Sequence, residues 1–347
     1  MKKIIIIFML LSFLVVPVSA MEYTAPTAPE SAEPYMPPKQ ENFAQGLWYI
    51  IKTALSEISP ELASAARLCL SVILTVLLMA VLQSLTDFSA SAIQLTGAVV
   101  IGILLLEPAN TMIQLGLDTV RELSDYGKLL LPVMTAAMAA QGGITASAAL
   151  YTGTVFFIGL LTTVIVKVIG PALYIYLCLS VACSAIAQDM LKKAKDFIKW
   201  GMTWCLKIVL YVFTGYMSIT GVISGAVDAS ALKAAKLTIS GVVPVIGKIL
   251  SDATETVLVS AGIMKGTAGV YGVLAIIAVC ISPFLQIGIQ YILLKISGAI
   301  CNTFAYKPAV ALIEDFGKGM GFVLAATGTV CIMLLISLVC FLRGIGV

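Results

Sequence analysis

The sequence contains no histidine, so it lacks the commonest general base and the commonest transition-metal ligand among side chains. Without histidine there is no Ser-His-Asp or Cys-His arrangement to activate a nucleophile. The eight cysteines include no CxxC pair, and nearly all of them lie in or beside apolar runs, which is typical of small buried hydrophobic residues. We therefore predict that the chain is not an enzyme and has no catalytic residue, metal site or cofactor.

Charge is also scarce, because only 11% of the 347 residues are charged and the net charge is +3. This balance gives no indication of a nucleic-acid partner. Hydrophobic residues make up 60% of the chain, and several uncharged runs reach the roughly 20 residues needed to cross a hydrocarbon core about 30 Å thick. Lipid cannot satisfy open backbone groups, so these runs should be helices. The prediction is an all-α, polytopic integral membrane bundle.

The N-terminal part divides into two regions before the membrane domain. Residues 1–20 have the basic start, apolar centre and small-residue end of a secretory signal peptide, and we expect cleavage after Ala20, with a retained anchor as the alternative. Residues 21–42 are polar and proline-rich, which predicts an extracytoplasmic tether that does not bury enough surface to order itself. Residues 43–347 are then the transmembrane domain.

The membrane domain contains eight long apolar segments and two short ones. The long segments are Leu68–Leu85, Ala90–Leu106, Ile144–Ile165, Pro171–Ala187, Gly201–Gly225, Ala268–Ile281, Phe284–Ile300 and Gly321–Leu342. The short ones, Leu129–Ala140 and Val242–Leu250, each contain a proline and are candidates for re-entrant segments.

Proline spacing suggests an internal repeat. Pro132 and Pro171 are 39 residues apart, and so are Pro244 and Pro283. Each pair encloses one long segment and precedes another. Structural repeats around a central site are a common way to build transporters, so a stand-alone secondary transporter of a small solute is the alternative function.

Charged residues outside the tether are concentrated in four places. Lys192, Lys193, Lys195 and Lys199 form a basic helix that the positive-inside rule assigns to the cytoplasm, if Leu129–Ala140 is a full span and the mature N-terminus is outside. The stretch from Glu107 to Lys128 is amphipathic and should face water. The group Lys307, Glu314, Asp315 and Lys318 should also be a solvated face.

The fourth place is the segment Ser224–Gly266, which carries too many charges to face lipid. One interpretation is a broken, partly re-entrant element that lines a polar vestibule, and the other is an interfacial loop with a proline kink. The candidate lining or assembly residues are Asp228, Lys233, Lys236, Pro244, Gly247, Lys248, Asp252 and Glu255. Two GxxxG pairs, Gly221/Gly225 and Gly262/Gly266, are typical of close helix packing or of self-association into a homo-oligomer.

The residues Ser224–Val257, in the order SGxxDxxxLKxxKxxISGxVPVxGxxLSDATxTV, resemble the stage III sporulation protein AE family of endospore-forming bacteria. The polytopic body, the signal sequence and the acidic, proline-rich tether agree with that resemblance. It implies a multi-pass protein of the mother-cell membrane around the engulfed forespore, with the mature N-terminus outside. It also implies membership of a channel or secretion-like complex needed for forespore development after engulfment.

The resemblance implies partners as well. They are other stage III sporulation membrane proteins, including a cytoplasmic ATPase and ring-forming proteins between the two membranes, and a YidC/Oxa1-type insertase for assembly. Neighbouring genes would separate this reading from the transporter, since a run of small sporulation membrane proteins and an ATPase favours the complex.

Overall fold

The structure, a computed structural model, describes residues 25–38, 43–85, 90–140, 144–186, 188–219, 267–304 and 307–344. The regular elements in these ranges are all helical, which confirms the predicted all-α class for the described part of the chain. The α-helices are α1 (Phe43–Glu57), α2 (Ser59–Leu85), α3 (Ala90–Ala140), α4 (Ile144–Val164), α5 (Gly170–Ala185), α6 (Asp189–Ile219), α7 (Thr267–Cys301) and α8 (Lys307–Gly344). Short 3-10 helices occur at Glu33–Tyr35 and Asn302–Phe304.

Six helical stretches in these ranges are long and apolar enough to cross a bilayer. They are Ser59–Leu85, Ala92–Ala140, Ile144–Ala185, Asp189–Met217, Gly269–Cys301 and Lys307–Leu342. The predicted count of eight long spans is therefore not confirmed. The difference arises because segments that looked separate in the sequence lie within single continuous helices.

Helix α3 is the longest example of such a merger. It contains both the predicted span Ala90–Leu106 and the short stretch Leu129–Ala140. Its 51 residues reach roughly 76 Å at 1.5 Å per residue. Leu129–Ala140 is neither a separate re-entrant segment nor a separate span, the two alternatives left open by the sequence, because Pro132 removes one backbone donor without stopping a helix that its neighbours hold. The other short stretch, Val242–Leu250, lies outside the described residues and stays a prediction.

A π-helical turn, Ile165–Ile169, joins α4 to α5, so that Ile144–Ala185 is one continuous helical stretch. Pro171 lies in the first turn of α5, directly after this turn. Pro283 likewise lies inside α7, which unites the two predicted spans on either side of it. In both places a local drop in hydropathy predicted the end of a span, but the helix continues through it.

Helix α8 is the centre of the bundle and contacts α3, α4, α5 and α7. At one end, which we call the basic end, the Gln94 amide donates to the Ser184 carbonyl (2.9 Å) and the Ser184 hydroxyl donates to the Pro308 carbonyl (2.8 Å). These bonds tie together the beginnings of α3 and α8 and the end of α5. The basic helical segment Lys192–Lys199 starts α6 at this same end.

The N-terminal segment 25–38 packs on the opposite end of the bundle. The Ala28 amide donates to the Tyr271 hydroxyl (3.1 Å), and the Ser31 hydroxyl donates to the Glu122 carboxylate (2.6 Å). Ala32 is completely buried. The Tyr35 phenol faces Ser282 and Glu57, and its partial burial raises its pKa. The expectation that this part of the tether does not order itself is wrong for residues 25–38, since small side chains and backbone groups suffice to dock it.

Docking of the N-terminal segment predicts an effect of Ala32→Asp. A carboxylate at this buried position has no partner, and its desolvation costs more than the segment's hydrogen bonds contribute at about 0.5–1.5 kcal/mol each. The segment should therefore leave the bundle and become a faster substrate for proteinase K in membrane vesicles opened to both faces. Thr27→Asp, at an exposed position of the same segment, is the control. Equal cleavage rates for the two variants would contradict the docked arrangement.

Candidate functional site

All eight residues of the predicted lining or assembly motif lie outside the described residues. They are Asp228, Lys233, Lys236, Pro244, Gly247, Lys248, Asp252 and Glu255. Their role stays a prediction from sequence. The described part of the chain contains two other polar features within candidate spans, and we build them here from their side chains.

The first feature is a buried ion cluster around Asp315 of α8, which we call the Asp315 cluster. The Asp315 side chain is only 6% exposed and pairs with Lys195 of α6, which is 12% exposed. Its second oxygen accepts a bond from Lys318, one turn further along α8 (2.9 Å). The prediction that Asp315 belongs to a solvated face is therefore wrong.

Tyr176 of α5 completes the Asp315 cluster. Its hydroxyl donates to Asp315 Oδ1 (3.2 Å), and its ring is buried against Phe322 of α8, with the two ring centroids 6.4 Å apart. One carboxylate thus receives bonds from three helices. An aspartate with two ammonium partners and one phenol has three of its roughly four acceptor sites occupied, so this cluster suits the fastening of helices better than the binding of a ligand.

Helix periodicity explains why Asp315 is buried and its neighbour is not. Asp315 lies on the same face of α8 as the buried residues Leu312 and Phe316. Glu314 points away, with a side chain that is 49% exposed and 3.9 Å from Lys318. The inward face of α8 therefore carries one acidic group, which the basic start of α6 neutralises.

The second feature is a polar stripe along the middle of α3, which we call the α3 stripe. Its members recur every three or four residues and are all exposed: Glu107, Asn110, Gln114, Asp118, Arg121, Asp125 and Lys128. The opposite face of the helix, with Ile113, Val120 and Leu123, is buried. The prediction of an amphipathic, exposed stretch is confirmed. Its position inside the candidate span Ala92–Ala140 was not anticipated.

Neighbouring side chains and ion pairs within the helix hold the α3 stripe in place. Tyr174 of α5 donates to Asn110 (2.7 Å) and accepts from Gln114 (2.9 Å). Further along, Arg121 pairs with Asp118 and Lys128 pairs with Asp125. Each pair spans one turn, so the charges of these four residues alternate in sign along the helix.

No group of His, Cys, Asp or Glu side chains in the described ranges has the arrangement needed to hold a metal ion. Among the cysteines of these ranges, Cys69, Cys280, Cys301 and Cys340 are buried and Cys178 is exposed.

Comparison with known proteins identifies the family. The family model described as stage III sporulation protein AE matches residues 35–343. The chain belongs to this family. The resemblance predicted from Ser224–Val257 is thereby confirmed, and the match extends from the docked N-terminal segment to the last turn of α8.

A curated relative in the family is the stage III sporulation protein AE of Bacillus subtilis (strain 168). It is 22% identical over 303 residues, which cover 86% of this chain and 75% of the relative. No solved structure matches the chain. The family's description names a sporulation protein and no reaction.

Sequence reasoning missed the Asp315 cluster because its two main partners lie 120 residues apart. A signal was present, since Asp315 follows the apolar run from Ala309 to Ile313 and is flanked by Phe316. An acid at helical spacing from such residues points inward. Its partner could not be chosen from sequence among the four lysines of the basic helix.

Proposed function

We propose that the protein is a membrane subunit of a sporulation-specific channel or secretion-like complex that links the mother cell and the forespore. The observation that carries this proposal is the family match over residues 35–343 in a chain with six candidate membrane-spanning helices. A sporulation protein of this kind acts in a membrane, and polar groups within its spans suit contact with water or with other subunits. Its action would follow engulfment.

The proposed partners are other stage III sporulation membrane proteins, among them a cytoplasmic ATPase and proteins that form rings between the two membranes. A YidC/Oxa1-type insertase would assist its assembly. The proposed location is the mother-cell membrane around the forespore. These proposals follow from the sequence resemblance in Ser224–Val257.

The proposed orientation has the N-terminal segment outside and the basic end in the cytoplasm. Segment 25–38 lies at one end of the bundle. The start of α6, with the exposed residues Lys192 and Lys193, lies at the other end. The positive-inside rule favours the cytoplasm for such exposed lysines. Because Lys195 is turned toward Asp315, it contributes less to this topological signal than its neighbours do.

The test of the proposed function uses the motif between α6 and α7. We expect Asp252→Ala and Gly247→Val to leave insertion and abundance near the level of the unaltered chain, but to stop forespore development after engulfment. A charge that faces a shared polar cavity matters more than one in bulk water, and a valine crowds a place of close approach. Lys265→Ala, outside the motif, is the control and should have a mild effect.

The readouts are spore yield and immunoblots of membrane fractions for each variant. Normal spore yields from both motif variants would contradict a functional role for the segment. Loss of the protein from the membrane would instead assign the segment a structural role only.

A further inference from the structure

Two cysteines face each other across the contact between α7 and α8. The thiols of Cys280 in α7 and Cys331 in α8 are hydrogen-bonding neighbours. Cys280 is only 5% exposed, whereas Cys331 is half-buried. The two residues are far apart in the sequence, so the packing of the two helices brings their thiols together.

Helices α7 and α8 are antiparallel and closely packed on both sides of this pair. A Cβ atom at Gly272 in α7 would lie 3.5 Å from Leu338 in α8, and one at Gly328 in α8 would lie 2.8 Å from Phe284 in α7. Early residues of α7 thus contact late residues of α8. Helices that meet at glycines approach each other closely, and a disulfide needs two Cα atoms about 4.4–6.8 Å apart. This contact is therefore suitable for a cross-link.

The contact at Gly328 also sets the register of the two cysteines. Cys331 is three residues after Gly328 in α8, and Cys280 is four residues before Phe284 in α7. Because the helices are antiparallel, both steps lead in the same direction along the bundle and cover nearly the same height. Helix packing therefore places Cys280 opposite Cys331, in agreement with the contact between their thiols.

The pair lies near the bundle end on which segment 25–38 docks. The Glu122 carboxylate of α3 is close enough to Cys280 to interact with it electrostatically, and the same carboxylate accepts the bond from Ser31. The proposed orientation places this end outside the cytoplasm. Disulfides form and persist in oxidising extracytoplasmic environments, so an oxidant would reach the pair from a side where a disulfide is stable.

A second pair of neighbouring cysteines lies at the basic end. Cys69 of α2 lies beside Ser297 and Cys301 of α7. Cys301 is the last residue of α7, close to the start of α8 at Lys307. The proposed orientation places this end in the cytoplasm, where thiols are kept reduced. The two pairs therefore differ in the redox environment that their ends of the bundle face.

We propose that Cys280 and Cys331 are a redox latch, in which oxidation of the two thiols to a disulfide fastens α7 to α8. The oxidant is a disulfide compound on the extracytoplasmic side. The more exposed Cys331 sulfur attacks this compound, and one half of it leaves as a thiol. The Cys280 sulfur then attacks Cys331 Sγ, the bond between the two cysteines forms, and the second half leaves as a thiol. The two cysteine protons end on the two leaving thiols, and the compound takes up two electrons.

The latch acts on the part of the bundle that holds the N-terminal segment. Tyr271 of α7 accepts the bond from Ala28, and α8 is the helix around which the others pack. A disulfide at Cys280 therefore stops α7 from moving relative to α8 near the docked segment. The side of oxidation rests on the proposed function and orientation, whereas closure of the latch depends on the folded chain alone.

The test of closure is oxidation of the full chain, purified in detergent, by 4,4′-dithiodipyridine, an apolar aromatic disulfide. The test variant keeps Cys280 and Cys331 and has alanine in place of the other cysteines. We expect its mass to fall by two hydrogens and its two alkylatable thiols to be lost, so that the denatured chain takes up no N-ethylmaleimide. Oxidation should also raise its midpoint of thermal unfolding, because the cross-link constrains the unfolded chain.

Two control variants test the order of the steps and the register. Cys280→Ser in the test variant should stop the reaction at the mixed disulfide, with half of the oxidant retained on Cys331. A variant that keeps Cys280 and Cys340 should not close, since Cys340 is nine residues further along α8 than Cys331. Two thiols that still react with N-ethylmaleimide after oxidation of the test variant, or equally fast closure of Cys280 with Cys340, would overturn the proposal.

The unaltered chain provides a second measurement where the variants do not fold. After oxidation and digestion, mass spectrometry should find a peptide pair linked through Cys280 and Cys331. Absence of this linked pair would overturn the latch.

The side of oxidation is tested in cells that express the chain. Acid and N-ethylmaleimide trap the thiols before lysis, and we expect Cys69 and Cys301 to be alkylated and Cys280 and Cys331 to be linked. Alkylation of both pairs would overturn oxidation on the extracytoplasmic side. None of these measurements uses spore yield, so failure of the latch is distinguishable from failure of the proposed function.

Discussion

Replacement of Asp315 by alanine is expected to destabilise the folded chain by roughly 3–5 kcal/mol, the usual cost of removing one partner from a buried ion pair. Lys195, which is 12% exposed, would keep its charge without a counter-ion, and the Tyr176 hydroxyl would lose its acceptor. The measurements are thermal unfolding of the purified protein in detergent and its abundance in membrane fractions. We expect a large fall in the midpoint temperature of unfolding and in the amount of protein in the membrane fraction.

Glu314→Ala is the matched control, since it removes the neighbouring acid, whose side chain is half exposed and weakly paired. Its effect should be within the range of an exposed pair, about 0–1 kcal/mol. The double variant Lys195→Met/Asp315→Leu should recover part of the lost stability, because an apolar pair of similar volume leaves no unpaired charge. Equal effects of Asp315→Ala and Glu314→Ala would contradict the buried arrangement.

Gly153→Ala in α4 should also be strongly destabilising. A Cβ atom there would overlap Cε1 of Tyr216 in α6 and lie 2.8 Å from the Tyr216 hydroxyl. The Tyr216 ring has little freedom to move, because its hydroxyl donates to the Ala149 carbonyl (2.9 Å) and its ring packs against that of Phe157, with 5.6 Å between the centroids. We expect a loss of about 1–3 kcal/mol, typical of an overpacked interior, measured as the midpoint of thermal unfolding in detergent.

Gly159→Ala in the same helix is the control, and its expected effect on stability has the opposite sign. Apart from the neighbouring residues and nearby backbone of α4 itself, no heavy atom lies within 4 Å of a Cβ atom at this position. Alanine should therefore stabilise the helix by about 0.5–1 kcal/mol relative to glycine. Two variants with the same effect would show that α4 and α6 are not in close contact at Gly153.

The sequence was sufficient to predict the helical class and most of the apolar segments, because those depend on composition and run length. It was not sufficient for the number of spans. Hydropathy falls at Lys167 and at Ser282-Pro283, yet the helices continue through both. Continuity depends on whether neighbouring helices cover the backbone, which is a property of the packed bundle.

For the polar residues, too, the sequence was sufficient to predict some features and not others. The alternation of polar and apolar residues from Glu107 to Lys128 was enough to predict an exposed face, since it depends on helical periodicity alone. The burial of Asp315 depends on Lys195 and Tyr176, which tertiary packing brings from two other helices. The motif around Pro244 and Asp252 lies outside the described residues, so its role remains a prediction that spore yield can test.

The π-helical turn at Ile165–Ile169 has a consequence for comparing relatives of this protein. A π turn holds one residue more than the α-helix around it, and each residue turns a helix by roughly 100°. The wider turn takes up that extra residue, so deletion of one residue there would convert the turn to ordinary α-helix and leave Tyr176 and Leu173 on the side of α5 that faces α8. The same deletion in the α-helical part of α5, before Leu173, would rotate both residues away from α8 by roughly 100°. In an alignment, a one-residue gap at the π turn would therefore mark a relative with a regular helix and the same side of α5 facing the core.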